Sequence, residues 1–470
     1  MAFSEKPLNQ SLVTPVEEFI AREFDEAVNL LSEFVAIPGI AWPAFDPQNL
    51  ELSAQRVAQE FEKLKFFDWV EIRKSKKPDG ELGSPAVLAR RAGKSGAPHV
   101  LLYAHHDVQP PGDAALWETE PFVATRKGDR LFGRGASDDK AGIITHLWAI
   151  KGLKELSEQL NIGITLFIEG EEEAGSESFA NFLIDNEKDL AADLIIVADS
   201  GNWTTEVPAL TTSLRGMVSQ VVTIKTLDHA VHSGMFGGPL PDAMTAMIRL
   251  LDSLTDEKGN VAISGLRSTE VDELPLSEEE FRAAAGILDG VQTLGSKSLV
   301  QQNWGEPAVT VIGIDAPSVA LSSNTAQPEI TAKISLRLSP DEDPGTGLEL
   351  LRKHLESHAP FGARVSFGHS EQGPGYLAKS GWASRLAHEA FTACWPNPSV
   401  NIGIGGSIPF ITDFARVFPR AEILVTGVEE PDSRAHSPNE SQHLPTLQRA
   451  MAAETLLLLH GNQLLTNELN

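Results

Sequence analysis

Apolar positions set the organisation of the chain. Phe19, Ile20, Phe24, Val28, Leu31 and Phe34 fall near helical spacing and predict an N-terminal helix. A Gly/Pro-rich loop after Pro38 leads to a second amphipathic stretch at 53–64. Strand–helix–strand grammar follows. VLLYA at 100–104 reads as a strand, and 141–160 as a helix with Ile143, Leu147, Ile150, Leu153, Leu156 and Leu160 along one stripe. Two more apolar runs, 164–168 and 194–198, read as strands. Continuous apolar strands between helices predict a sheet covered on both faces, an α/β layer architecture.

Near residue 212 the pattern changes. Strands are predicted at 218–224, 307–314, 330–338 and 364–368, with helices at 239–254 and 345–358. In the third of these strands Ile330, Ile334, Leu336 and Leu338 share one face, and Thr331, Lys333, Ser335 and Arg337 the other. The order βαββαβ with clean alternation predicts a ferredoxin-like sandwich with one sheet face exposed. An acidic segment, 256–306, interrupts it and carries a short helix around 278–288. Beyond 377 the α/β grammar returns, with a helix at 382–394 and a strand at 423–426. The expectation is therefore a catalytic α/β domain formed by 1–211 and 377–470, with a second domain, 212–376, inserted into it.

Bulk properties narrow the function. At 470 residues the chain exceeds what one core usually supports. No run of 18 apolar residues proposes a membrane span, and the N-terminus lacks a secretory pattern. A single cysteine, Cys394, excludes an internal disulfide or a thiolate zinc cluster and suits a cytoplasmic protein. A net charge of −27 argues against nucleic acid.

The chemistry gathers at strand ends, where open α/β sheets bind ligands. VLLYA runs into His105, His106 and Asp107; ITLFI into EGEEEAGS, which holds Glu172 and Glu173; LIIVA into Asp199. The strand at 423–426 precedes VEEPDSRAHSPNE with His436, and FGRGASDDKAG presents Asp138 and Asp139 at the start of a helix. Singly each has a structural reading: a packed histidine, a solvated acid run, an N-cap. Together these carboxylates would repel one another strongly, and a bound cation resolves the conflict. Two histidines and three carboxylates suit two divalent ions of the zinc or manganese type better than calcium. Four positive charges are then balanced by three carboxylates and a hydroxide. The position between such ions holds a water acidified toward pH 7, and a further carboxylate serves as general base.

The segments YAHHDVQP, WETEPF, LFGRGASDDKAG, EGEEEAGS, ADSGNW, HAVHSGMFGG, SLRL, GGSIP and AHSPNE, in that order, resemble the M20 family of zinc peptidases, within it the cytosolic, carnosinase-like dipeptidases. The resemblance implies a mixed-sheet, zinc-peptidase-like catalytic domain and an inserted lid domain that dimerises. It implies His105, Asp138, Glu173, Asp199 and His436 as metal ligands, with Asp138 bridging the two ions. His105 and Asp199 would complete one shell, Glu173 and His436 the other. Glu172 takes the place of the general base and Asp107 that of the carboxylate orienting His105; strand alternation likewise sets His105 and Asp107 apart from His106. A cis Asp138–Asp139 peptide is implied too. Ala104 and Ala141 stand where the family usually has glycine, and Ala174 where serine is common.

From the lid, the resemblance implies that His232 reaches the neighbouring subunit's site and stabilises the oxyanion. Arg337 and Asn324 would hold the substrate, and Ser407, with Gly405 and Gly406, its C-terminal carboxylate. The expected activity is hydrolysis of dipeptides or small N-acyl amino acids, with a metal-bridging hydroxide as nucleophile. The cofactors are two divalent ions, zinc first, with manganese or cobalt accepted by the same shell. The partners are a small peptide substrate and a second copy of the chain, with no nucleic acid and no membrane. The alternatives are an N-acyl or N-carbamoyl amino-acid amidohydrolase on the same scaffold, and a non-catalytic binding protein.

Overall fold

The computed structural model describes residues 7–406 and 409–463. Its two principal sheets use strands β1 (Trp69–Arg73), β2 (Ala86–Arg91), β3 (His99–His105), β4 (Gly163–Glu169), β5 (Leu194–Val197), β6 (Gly216–Lys225), β7 (Ala308–Asp315), β8 (Glu329–Leu338), β9 (Arg364–Gly373) and β10 (Glu422–Val425). The longer helices are α1 (Val13–Val35), α2 (Pro47–Lys63), α3 (Lys140–Leu156), α4 (Ala243–Asp252), α5 (Pro344–Ser357), α6 (Trp382–Cys394) and α7 (Leu444–Gln463). The chain divides into two compact units. One runs to Thr212 and takes in Ala378–Ile402 and the segment from Asp413 on; the other holds Ser213–Leu377 with Gly403–Thr412.

The first unit is built on a 6-stranded sheet of order β1-β2-β4-β3-β5-β10. β4, β3, β5 and β10 run parallel, while β1 and β2 are antiparallel additions at one edge, so the sheet is mixed, as expected. Every residue of β4 and β5 is buried, which accounts for their unbroken apolar runs. α1, α3, α6 and α7 contribute to one core with the sheet, where Phe34, Trp148, Leu166 and Leu456 are at most 2% exposed. The parallel strands end at a common edge, and the loops that follow them carry the polar motifs.

In the second unit β6, α4, β7, β8, α5 and β9 follow in that order, and the 4-stranded antiparallel sheet runs β7-β8-β6-β9. The buried face of β8 (Ile330, Ala332, Ile334, Leu336, Leu338) shares a core with Met247 and Leu250 of α4 and with Leu351 and Leu355 of α5. β7 is an edge strand with apolar side chains in solvent: Ile312 is 55% and Ile314 48% exposed. No helix among the described residues is long and apolar enough to cross a membrane.

Candidate metal centre

His105 is the last residue of β3 and is fully buried. Its Nε2 lies 3.0 Å from Asp138 Oδ1 and 3.8 Å from Asp199 Oδ1. The other oxygen of Asp138, Oδ2, lies 3.0 Å from His436 Nε2, and that nitrogen is 3.1 Å from Glu173 Oε2. Two donor trios result, His105–Asp138–Asp199 and Asp138–Glu173–His436, each with its ligand atoms within 4.8 Å of one another. Asp138 belongs to both.

Electrostatics show why these side chains fit cations. Burial opposes protonation of His105, yet hydrogen bonds to Asp107 and Asp138 raise its pKa well above that of an ordinary imidazole. His436 is pushed up to about 11 by its contacts with Asp138 and Glu173. Asp199 is pushed up to about 7 by burial, with the charge of Asp138 adding to it, and Glu172 rises through burial and the charge of Asp199. As side chains alone the acids are in conflict and the imidazoles act as their counter-charges. Divalent ions held by the same nitrogens and oxygens do this without protons. Two donors about 2.0–2.1 Å from a tetrahedral zinc are about 3.3 Å apart, close to the 3.0–3.1 Å separations here.

The surrounding contacts fix these donors. His105 Nδ1 is 3.1 Å from the Asp107 carbonyl and 3.4 Å from its carboxylate. The Asp107 carboxylate also accepts from the main-chain N–H groups of Glu172 (3.2 Å) and Glu173 (3.0 Å), tying the loop after β4 to the end of β3. His106 faces elsewhere, with Nε2 2.8 Å from the Pro85 carbonyl, and is a packing residue. The Asp138–Asp139 peptide is cis.

Three contributors escaped the sequence reading. Glu440 is fully buried and accepts from the N–H groups of Gly135, Ser137 and Asp138 and from Arg134 Nη1 at 2.6 Å, so it holds the loop that presents Asp138. Gln109 donates to both Glu173 oxygens, at 3.2 Å from its main-chain N–H and 2.7 Å from Nε2. Glu429 has its pKa raised by burial and by the charges of Asp138 and Asp199, which marks it as a further acid at the cluster. Each stood inside a motif already singled out: AHSPNE, DVQP and VEEPD. Replacing Glu440 with alanine is expected to cost about 3–5 kcal/mol, because Arg134 is left buried and unpaired. Chemical denaturation measures this, and a loss within error would remove Glu440 from that role.

In the second unit, His232 and Asn324 come together. His232 pairs with Thr325 in a short two-stranded ladder, and the Asn324 carbonyl accepts from Ser233 N–H at 2.9 Å. His232 is exposed, and its Nδ1 accepts from Gly234 N–H. Arg337 lies half-buried on the polar face of β8. Gly406 is half-buried, and Ser407 lies outside the described residues.

Residues 101–460 match the model of Peptidase family M20/M25/M40. The chain belongs to this family. It is a peptidase. Among relatives of this M20 chain, the cysteinylglycine-S-conjugate dipeptidase of Corynebacterium striatum is 34% identical over 378 residues, covering 77% of this chain and 81% of that one. The Beta-Ala-His dipeptidase of Rattus norvegicus is 26% identical over 461 residues, 92% of each. The crystal structure of human carnosine dipeptidase 1 superposes with a TM-score of 0.71 at 23% identity, covering 97% of this chain and all of that one; at that identity the likeness speaks for the fold.

Proposed function

We propose that this M20 peptidase is a dinuclear metallodipeptidase acting on short peptides with a free C-terminal carboxylate. The observation that carries the reading is Asp138, whose two oxygens each meet a different histidine and so join two donor trios. His105, Asp138 and Asp199 would hold one ion, and Asp138, Glu173 and His436 the other, with zinc favoured by two imidazoles and three carboxylates. When bound, such ions polarise a carbonyl and bring the pKa of water toward about 7. Glu172, on the same turn as Glu173, accepts the proton of the attacking water and returns it to the leaving amine. Asp107 keeps that turn and His105 in register. Arg337, Asn324, Gly406 and Ser407 orient the substrate backbone and carboxylate, and His232 donates to the developing oxyanion.

Both relatives named above are dipeptidases, which favours a peptide over an N-acyl or N-carbamoyl amino acid. The test is a panel of dipeptides, N-acetyl and N-carbamoyl amino acids offered to the metal-loaded protein. Dipeptides are expected to be hydrolysed fastest, a chelator to abolish turnover and added zinc or manganese to restore it. Preference for the N-acyl set would overturn the reading.

His232 acts in trans, which requires a homodimer. Support comes from the open edge of β7 and from exposed Val319 (94%), Leu321 (82%) and Met235 (75%) in the same unit. The double variant I312K/I314K is expected to sediment as a monomer, to keep its metals and to lose about 10²–10³-fold in turnover, the scale of one oxyanion donor. A fully active monomer would contradict the arrangement.

A further inference from the structure

The second unit holds a cavity of about 480 Å³ lined by its 255–310 segment and by Arg215. That volume falls within the roughly 300–1,000 Å³ of small-molecule sites. Val261, Phe281, Ile287, Leu294 and Val309 give it apolar walls. Arg215 is the cationic member of the lining and Glu306 the anionic one.

Arg215 is only 8% exposed. Its Nε donates to the Gly405 carbonyl at 3.1 Å and its Nη1 to the Glu306 carbonyl at 3.4 Å, both main-chain acceptors. No carboxylate among the described residues acts on it, and burial together with the charge of Arg337 pushes its pKa down to about 10. The Glu306 carboxylate is engaged elsewhere, with Oε1 accepting from Ser268 Oγ and, at 2.9 Å, from Gln301 Nε2. A buried guanidinium met only by carbonyls is costly, and its planar fork matches a carboxylate.

We propose that this cavity binds a small amphipathic monocarboxylate, its charge on Arg215 and its hydrocarbon tail against Phe281, Ile287 and Leu294. Apolar walls reject a fully hydrated dianion, and Arg215 selects the acid over a neutral molecule of the same shape. Arg215 also seats Gly405: a Cβ there would lie 2.9 Å from Nη2. A bound acid thus shares its arginine with the Gly405–Gly406 loop.

Calorimetric titration of the metal-loaded, full-length protein with hexanoate tests this, with 1-hexanol as the uncharged control. Hexanoate is expected to bind saturably and hexanol at least tenfold more weakly. R215Q is expected to weaken hexanoate about tenfold or more, the scale of a charge-assisted hydrogen bond. Leu294 is 69% exposed, so its replacement leaves the fold intact; L294D is expected to weaken hexanoate and L294K to preserve it. Undiminished binding in R215Q or in L294D, equal binding of hexanol, or no saturable binding at millimolar hexanoate would each overturn the proposal.

Discussion

Replacing Glu172 with alanine is expected to lower turnover by about 10²–10⁴-fold, the contribution of a positioned general base, while both metal ions remain bound. The two effects separate because Glu172 belongs to neither donor trio. Its main-chain N–H is held by Asp107, and that bond survives truncation of the side chain. Glu173, the next residue, keeps its own anchors in Asp107 and Gln109, so the ligand does not move when its neighbour is shortened. Glu172→Gln refines the test: it preserves size and polarity but cannot accept the proton, so it should fall as far as the alanine variant. Metal analysis beside single-turnover hydrolysis reads both quantities at once. Substantial turnover in a metal-loaded Glu172 variant would assign the proton transfer to another group.

Much of this arrangement was legible because strands announce their ends. The apolar runs of β3, β4 and β5 stop at acids and histidines, and in a parallel sheet those stops share one edge, so the sequence alone brings three separate motifs together. What could not be read was the support around them. Glu440 acts on Asp138 from 302 residues away through main-chain N–H groups that every sequence possesses, so no residue type marks its partners. Gln109 stood within a quoted motif, yet an amide following Val108 carries no pattern that distinguishes a ligand clamp from a surface side chain.

Among the elements, α7 was missed for a different reason. Residues 450–462 of it are buried all round, so no amphipathic stripe reveals the helix. β1 and β2 are antiparallel edge additions, with β1 only half-buried, and they lack the long apolar signature that exposed their neighbours. The 256–306 insertion reads from sequence as an acidic segment with one short helix, and nothing in that pattern shows that its Phe281, Ile287 and Leu294 wall a cavity together with Arg215. That grouping exists only once β7 and the insertion have folded.

Asp138→Ala is expected to release both ions, and His436→Ala only one. In the first variant each trio loses its shared member, leaving His105 with Asp199 and Glu173 with His436. Two donors fall short of the three protein ligands usual for catalytic zinc. In the second the trio of His105, Asp138 and Asp199 is intact and retains its ion. Metal analysis after dialysis therefore separates a shared carboxylate from an ordinary ligand, which activity cannot do, since both variants should be inactive. The apo form of Asp138→Ala should be less stable than apo wild type, because His105 and His436 hold the buried Asp138 carboxylate well below its ordinary range and both lose that partner. Thermal melts of the two apo proteins read that term. If Asp138→Ala kept one ion at full occupancy, Asp138 would belong to a single site, and the two-ion reading built on its paired oxygens would fall.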